Sequence, residues 1–177
     1  MRGGRRPGAG SPHVFSNGSY PLALMKISDL LKPNALVADL KAKDKNALLE
    51  ELTDALARVE KGLDRKLVVD VLKERERLGS TGIGDGVAIP HGKLKNIDHL
   101  MLSFGRSRDG IDFDAMDGRP AHLFFLLIAP EDSVGVHLKT LARISKLLKN
   151  PQVRERLVQA ADGGEIYRII VDEENNL

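Results

Sequence analysis

The chain has 177 residues, 42% of them hydrophobic and 29% charged, which suits one compact domain with a real core. It contains no cysteine, so disulfide frameworks, thiolate zinc sites and cysteine nucleophiles are excluded, and no apolar run nears the ~20 residues that cross a bilayer. The formal charge of +2 comes from the first 24 residues, where Arg2, Arg5 and Arg6 stand without an acidic neighbour; the other 24 basic residues face 25 acidic ones, so the body is not a basic nucleic-acid binder.

Residues 1–24 are rich in Gly, Pro, Ser and Arg, show no period and lack the apolar stretch of a secretion signal, and read as a flexible leader ahead of a domain over 25–177. A cytoplasmic setting is the default expectation. From Met25 the texture changes. Ile27, Leu30 and Leu31 have helical spacing before Pro33, and Ala35 to Leu40 reads as a short strand. Asp44 is placed to cap a helix with Leu48, Leu49, Leu52, Leu56 and Val59 on one face, ending at Gly62. A second helix starts near Asp64, buries Leu67, Val68, Val71 and Leu72, and ends in the charged run Lys73 to Arg77.

That run opens into Leu78-Gly79-Ser80-Thr81-Gly82-Ile83-Gly84-Asp85-Gly86, and Val87-Ala88-Ile89 then delivers His91 between Pro90 and Gly92. A neutral imidazole near pH 7 carries an unprotonated nitrogen, a nucleophile that needs little activation. Pro90 fixes φ and removes a donor, and Gly92 permits close approach of another chain or an anion. The glycines are expected to free N–H groups for an anion cradle, helped by the Ser80 and Thr81 hydroxyls. An arginine at the helix end supplies planar donors suited to phosphate oxygens, and spacing alone does not choose between Arg75 and Arg77. The plain reading of the same residues is an ordinary turn after a helix end that complements its own dipole. The pattern lacks the Gly-Lys-Ser/Thr of a Walker loop and the strand-to-helix context of a dinucleotide fingerprint, which disfavours nucleotides.

Beyond the loop, Val87–Ile89, Leu100–Arg106 and Ala121–Ala129 read as three strands, the last central because it is apolar on both faces. The turn-rich segment Asp109–Gly118 places Phe113 and Met116 in a loop, as a lid on the core or part of a docking patch. Asp132 or Ser133 caps a third long helix with His137 in its first turn. Asn150-Pro151 starts a short helix through Val153 and Leu157, and Ile166 to Val171 forms the last one before an acidic tail, Asp172-Glu173-Glu174. His13, His99 and His122 receive no role, and no zinc-ligand spacing is present. No cofactor or metal is implied.

The run Arg-Glu-x-Leu-Gly-Ser-Thr-Gly-Ile-Gly-Asp-Gly-Val-Ala-Ile-Pro-His-Gly-Lys over 75–93 resembles the active-site signature of IIA domains of the fructose/mannitol class in the phosphoenolpyruvate-dependent phosphotransferase system. The resemblance runs from Met25 to about Val171, and Met25-Lys26-Ile27-Ser28-Asp29-Leu30-Leu31 looks like the start of the nitrogen-regulatory IIA-Ntr branch. It implies an α/β/α sandwich, a mixed sheet flanked by helices, with His91 phosphorylated on Nε2, Arg75 stabilising phosphate and His137 as a second active-site histidine. It also implies an HPr-like phosphocarrier as donor, and a IIB domain or regulatory protein targets downstream. The absence of attached IIB or membrane IIC segments is read as arguing against a self-contained importer. Ile83, Val87, Phe113, Met116, Val134 and Val136 are candidates for an apolar rim, each with a core-only role as the alternative, and a homodimer is left open.

Overall fold

The computed structural model describes residues 26–177, so the leader expected over 1–24 lies outside the described residues. Helix α1 (Ile27–Leu30) runs straight into strand β1 (Leu31–Val37). The strand therefore begins at Leu31 and includes Pro33, earlier than the sequence suggests, because β1 is an edge strand and an edge tolerates a residue that cannot donate to a ladder. Asp44 caps α2 (Lys45–Val59) by accepting from the Ala47 N–H at 2.8 Å, and Asp64 caps α3 (Arg65–Arg77) by accepting from Leu67 N–H at 3.1 Å. Three short strands follow, β2 (Gly82–Gly84), β3 (Val87–Ala88) and β4 (His91–Leu94), and then the long pair β5 (Met101–Ile111) and β6 (Ala121–Pro130). Helices α4 (Val134–Leu148), α5 (Pro151–Gln159) and α6 (Gly163–Glu174) complete the described chain.

The six-stranded sheet is mixed, in the order β1-β5-β6-β3-β2, with β4 also on β6. Strand β6 is central, as its unbroken apolar run indicates: it pairs antiparallel with β5 on one side and parallel with β3 and β4 on the other. Its side chains alternate between two separate cores. Leu123, Phe125 and Leu127 pack toward α4, α5 and α6, whereas Phe124, Leu126 and Ile128 pack toward α2 and α3. Each core holds one edge-to-face ring pair, Phe104 with Phe125 and Phe113 with Phe124. The result is the α/β/α sandwich expected from the sequence. No helix among the described residues is long and apolar enough to cross a membrane.

Candidate functional site

Strands β3 and β4 are one extended segment interrupted at Ile89-Pro90. Val87 faces Leu123, and His91 faces Leu127, so the register on β6 is the same on both sides of the break. Pro90 has no N–H to give β6, although its carbonyl still accepts from Leu127 at 3.0 Å; on the other side the Thr81 carbonyl takes the Ile89 N–H while the Thr81 N–H goes to Glu76, so the Ile89 carbonyl is left for another donor. His91 supplies it: Nδ1 lies 2.7 Å from the Ile89 oxygen. A carbonyl only accepts, so Nδ1 carries the proton and Nε2 keeps its lone pair. Alternation along β4 turns His91 and Lys93 toward α4 and Gly92 toward α3.

Two helices close on this edge from opposite layers. From α4, His137 brings its ring to 5.3 Å from that of His91, edge to face. From α3, Arg75 donates to the Gly79 carbonyl at 2.8 Å and lines the same cleft as both histidines. Of the two arginines at the helix end only Arg75 lines the cleft, whereas Arg77 lies outside it and pairs with Glu74 at 2.8 Å. The cleft is about 530 Å³, and Val71, Leu78, Val134, Leu138 and Leu141 give it an apolar wall around Arg75, Lys93 and the two rings. Three wall residues are exposed: Leu78 by 82%, Leu138 by 59% and Val134 by 49%.

Both imidazoles are held neutral. Burial lowers the pKa of His91; the Ile89 hydrogen bond opposes that shift, and the nearby Arg75 charge adds to it. Burial pushes His137 down to about 4, helped by the charge of Lys93 and by that of His91 once His91 has taken a proton. His137 is only 4% exposed, and its Nδ1 has no hydrogen-bond partner among the described residues. Orphaned buried N–H groups are rarer in folded chains than under-satisfied acceptors, so the His137 proton is assigned to Nε2. Among the described residues no group of three or more His, Asp or Glu converges as a metal site.

Several expectations are corrected. The Gly-rich loop is not an open anion cradle, because the Ser80 and Thr81 hydroxyls and the Thr81 and Gly82 N–H groups expected to line it are already engaged. The Thr81 N–H and hydroxyl bind Glu76, the Gly82 N–H binds the Ser80 hydroxyl, and Ser80 donates to the Phe113 carbonyl at 2.5 Å. Gly92 admits the flank of α3 rather than a foreign chain: a Cβ there would sit 2.7 Å from Val71 Cγ1. Phe113 and Val87 are core residues, and Val136 packs partly buried against the core. Ile83 and Met116 are exposed, yet neither lines the histidine cleft, so of the expected rim only Val134 belongs to it. Sequence reasoning missed Leu78, Leu138 and Lys93. The helical spacing of Val134, His137, Leu138 and Leu141 was the available signal, since it puts all four on one face.

The model of the family described as "Phosphoenolpyruvate-dependent sugar phosphotransferase system, EIIA 2" matches residues 29–173. The chain is 42% identical over 146 residues to a nitrogen regulatory protein of Bradyrhizobium diazoefficiens, covering 82% of this chain and 95% of that protein. It is 37% identical over 146 residues to the fructose-specific EIIABC component of Bacillus subtilis, of which it spans only 23%. The crystal structure of the nitrogen regulatory protein IIA-Ntr from Neisseria meningitidis superposes with a TM-score of 0.76 at 35% identity, covering 81% of this chain and 98% of that one.

Proposed function

This chain belongs to the EIIA 2 family of the phosphoenolpyruvate-dependent sugar phosphotransferase system, and on that premise we propose that it is a phosphohistidine carrier with His91 as acceptor. One observation carries the reading. The Nδ1–H of His91 is committed to the Ile89 carbonyl, so the free lone pair is on Nε2, in a cleft shared with Arg75 and His137. In transfer, that lone pair forms a bond to phosphorus of a donor phosphohistidine on an HPr-like protein. The donor's N–P bond breaks, and its electron pair stays on the donor ring. Onward transfer is a second step of the same kind: an acceptor's nucleophile bonds to phosphorus, the His91 N–P bond breaks, and its electron pair returns to Nε2.

Such transfers need alignment and charge neutralisation more than bond-making help. Arg75 has guanidinium donors to spare beyond its bond to Gly79 and takes equatorial oxygens. His137 donates from Nε2, Lys93 adds a second cation, and the first turn of α4 brings the positive end of its dipole to the cleft. The exposed Leu78, Val134 and Leu138 form the apolar contact on which a partner excludes water from the phosphoramidate.

Likeness to nitrogen regulatory proteins over nearly their whole length favours a regulatory role in the cytoplasm, with phosphorylation of His91 changing which protein targets dock on this rim. The Bacillus subtilis relative favours a second reading, onward transfer to a IIB domain in sugar uptake. The test is intact-protein mass after incubation with phosphoenolpyruvate, an enzyme-I-type kinase and an HPr-type carrier. One acid-labile phosphoryl adduct is expected on the wild type and none on His91→Ala. Equal labelling of the two would overturn the assignment.

A further inference from the structure

Behind the cleft stands a buried carboxylate that the transfer chemistry above does not use. Glu76 follows Arg75 in the last turn of α3, and its side chain is only 6% exposed. It accepts the Thr81 N–H at 3.2 Å together with the Thr81 hydroxyl, while its second oxygen pairs with Lys45 Nζ at 2.9 Å. Lys45 is in turn fixed from the other side, 3.2 Å from Asp114 and 4.6 Å from the Phe113 ring centroid. The chain of contacts continues inward. The Thr81 carbonyl accepts the Ile89 N–H at 3.0 Å, and the Ile89 carbonyl accepts Nδ1–H of His91 at 2.7 Å.

We propose that Glu76 is a positioning residue: by clamping Thr81 it holds Ile89 by its N–H, and through that residue it aims the Ile89 carbonyl that sets the tautomer and ring orientation of His91. A tautomer is decided by the bond the other nitrogen makes, so whatever aims the Ile89 carbonyl decides which His91 nitrogen is free. Pro90 interrupts the ladder at this point, and the peptide there depends on contacts from outside it. Thr81 is one of them, on a loop between Gly79 and Gly82 that has little stiffness of its own. The consequence for transfer rate rests on His91 being the phosphoryl acceptor; the consequence for the tautomer does not.

The experiment uses 15N NMR of the His91 ring in the full chain at pH 7.5, with labelling rates from the same phosphocarrier system. Wild type should show one tautomer, protonated at Nδ1. Glu76→Ala should give mixed tautomers and label more slowly, on the order of tenfold, the scale expected for a small misplacement of a reacting group. Thr81→Val, which keeps the volume and removes the hydroxyl, should act in the same direction and add little on top of Glu76→Ala, as residues in one network do. Glu76→Gln keeps a carbonyl oxygen for Thr81 and should recover most of the tautomer preference. A wild-type tautomer in folded Glu76→Ala overturns the proposal, and Thr81→Val decides in the same way if that variant does not fold. Wild-type protein that takes no label would sink the carrier reading alone, since the tautomer comparison still decides the role of Glu76.

Discussion

Two neutral imidazoles 5.3 Å apart make pH the simplest probe at the residue scale. His137 has its pKa lowered from 6.5 to about 4 in the folded chain, burial being the main cause, and His91 is lowered too. Above about pH 6.5 neither state binds the proton. As pH falls the unfolded chain takes it first, so stability is fully present above 6.5 and is lost toward pH 4. The share due to His137 is at most about 3 kcal/mol. Urea titrations between pH 7 and 4.5 should show this loss, and His137→Gln should flatten the slope while leaving a residue from His91; an unchanged slope would mean that His137 is not held neutral. At this scale the sequence was partly legible. The family motif singled out Arg75, His91 and His137, and the structure gathers all three on one cleft, but which arginine reaches it depends on which side of α3 meets β4. Turn signals around Phe113 left it as a lid on the core or part of a docking patch, and its ring is buried against Phe124, as the first reading has it.

At the scale of elements, the site depends on how closely α3 lies on β4. Val71 touches Gly92, and Arg75 is one turn further along the same face of α3, so this contact helps set how near the arginine comes to the histidine. Val71 is β-branched and stiff, and cannot swing aside. Gly92→Ala should therefore lift the end of α3, lowering stability by about 1–3 kcal/mol, as overpacking does, and slowing labelling of the folded protein. Denaturant midpoints and labelling rates check both effects, and a variant with wild-type values would show that α3 adapts without cost. The helices were legible because their apolar residues recur at three and four and their caps are Asp44, Asp64 and Asn150. Strands β2 and β4 were not. Gly82-Ile83-Gly84 has almost no side chains to alternate, and β4 opens with His-Gly after a proline.

For the whole molecule, the two ends of the described chain are tied together by a residue that reads as part of a solvated tail. Glu174 closes α6 at 1% exposure. It accepts the backbone N–H groups of Ile27 and Ser28 and the Ser28 hydroxyl, and it pairs with Arg143 of α4 at 2.8 Å. An acidic run in sequence gives no sign that one member turns inward, because the partners are about 150 and 30 positions away. Glu174→Ala strands these donors and should cost about 3 kcal/mol while the folded fraction labels at the wild-type rate. A thermal midpoint within a degree of wild type would contradict this. Arg106 has the same character in β5: it is fully buried, with its guanidinium donating to the carbonyls of Ala38, Leu157 and Ala160. The layers and the central strand follow from hydrophobic pattern, whereas these long-range polar ties become visible only once the chain is folded.

If His91 carries the phosphoryl group, the fold leaves Nε2 as its reacting nitrogen. 15N NMR of the phosphorylated chain reads which ring nitrogen of which histidine is bonded to phosphorus. Phosphorus is expected on Nε2 of His91, with Nδ1 still protonated and donating to Ile89. Phosphorus on Nδ1, or on His137 or any other residue, would contradict this.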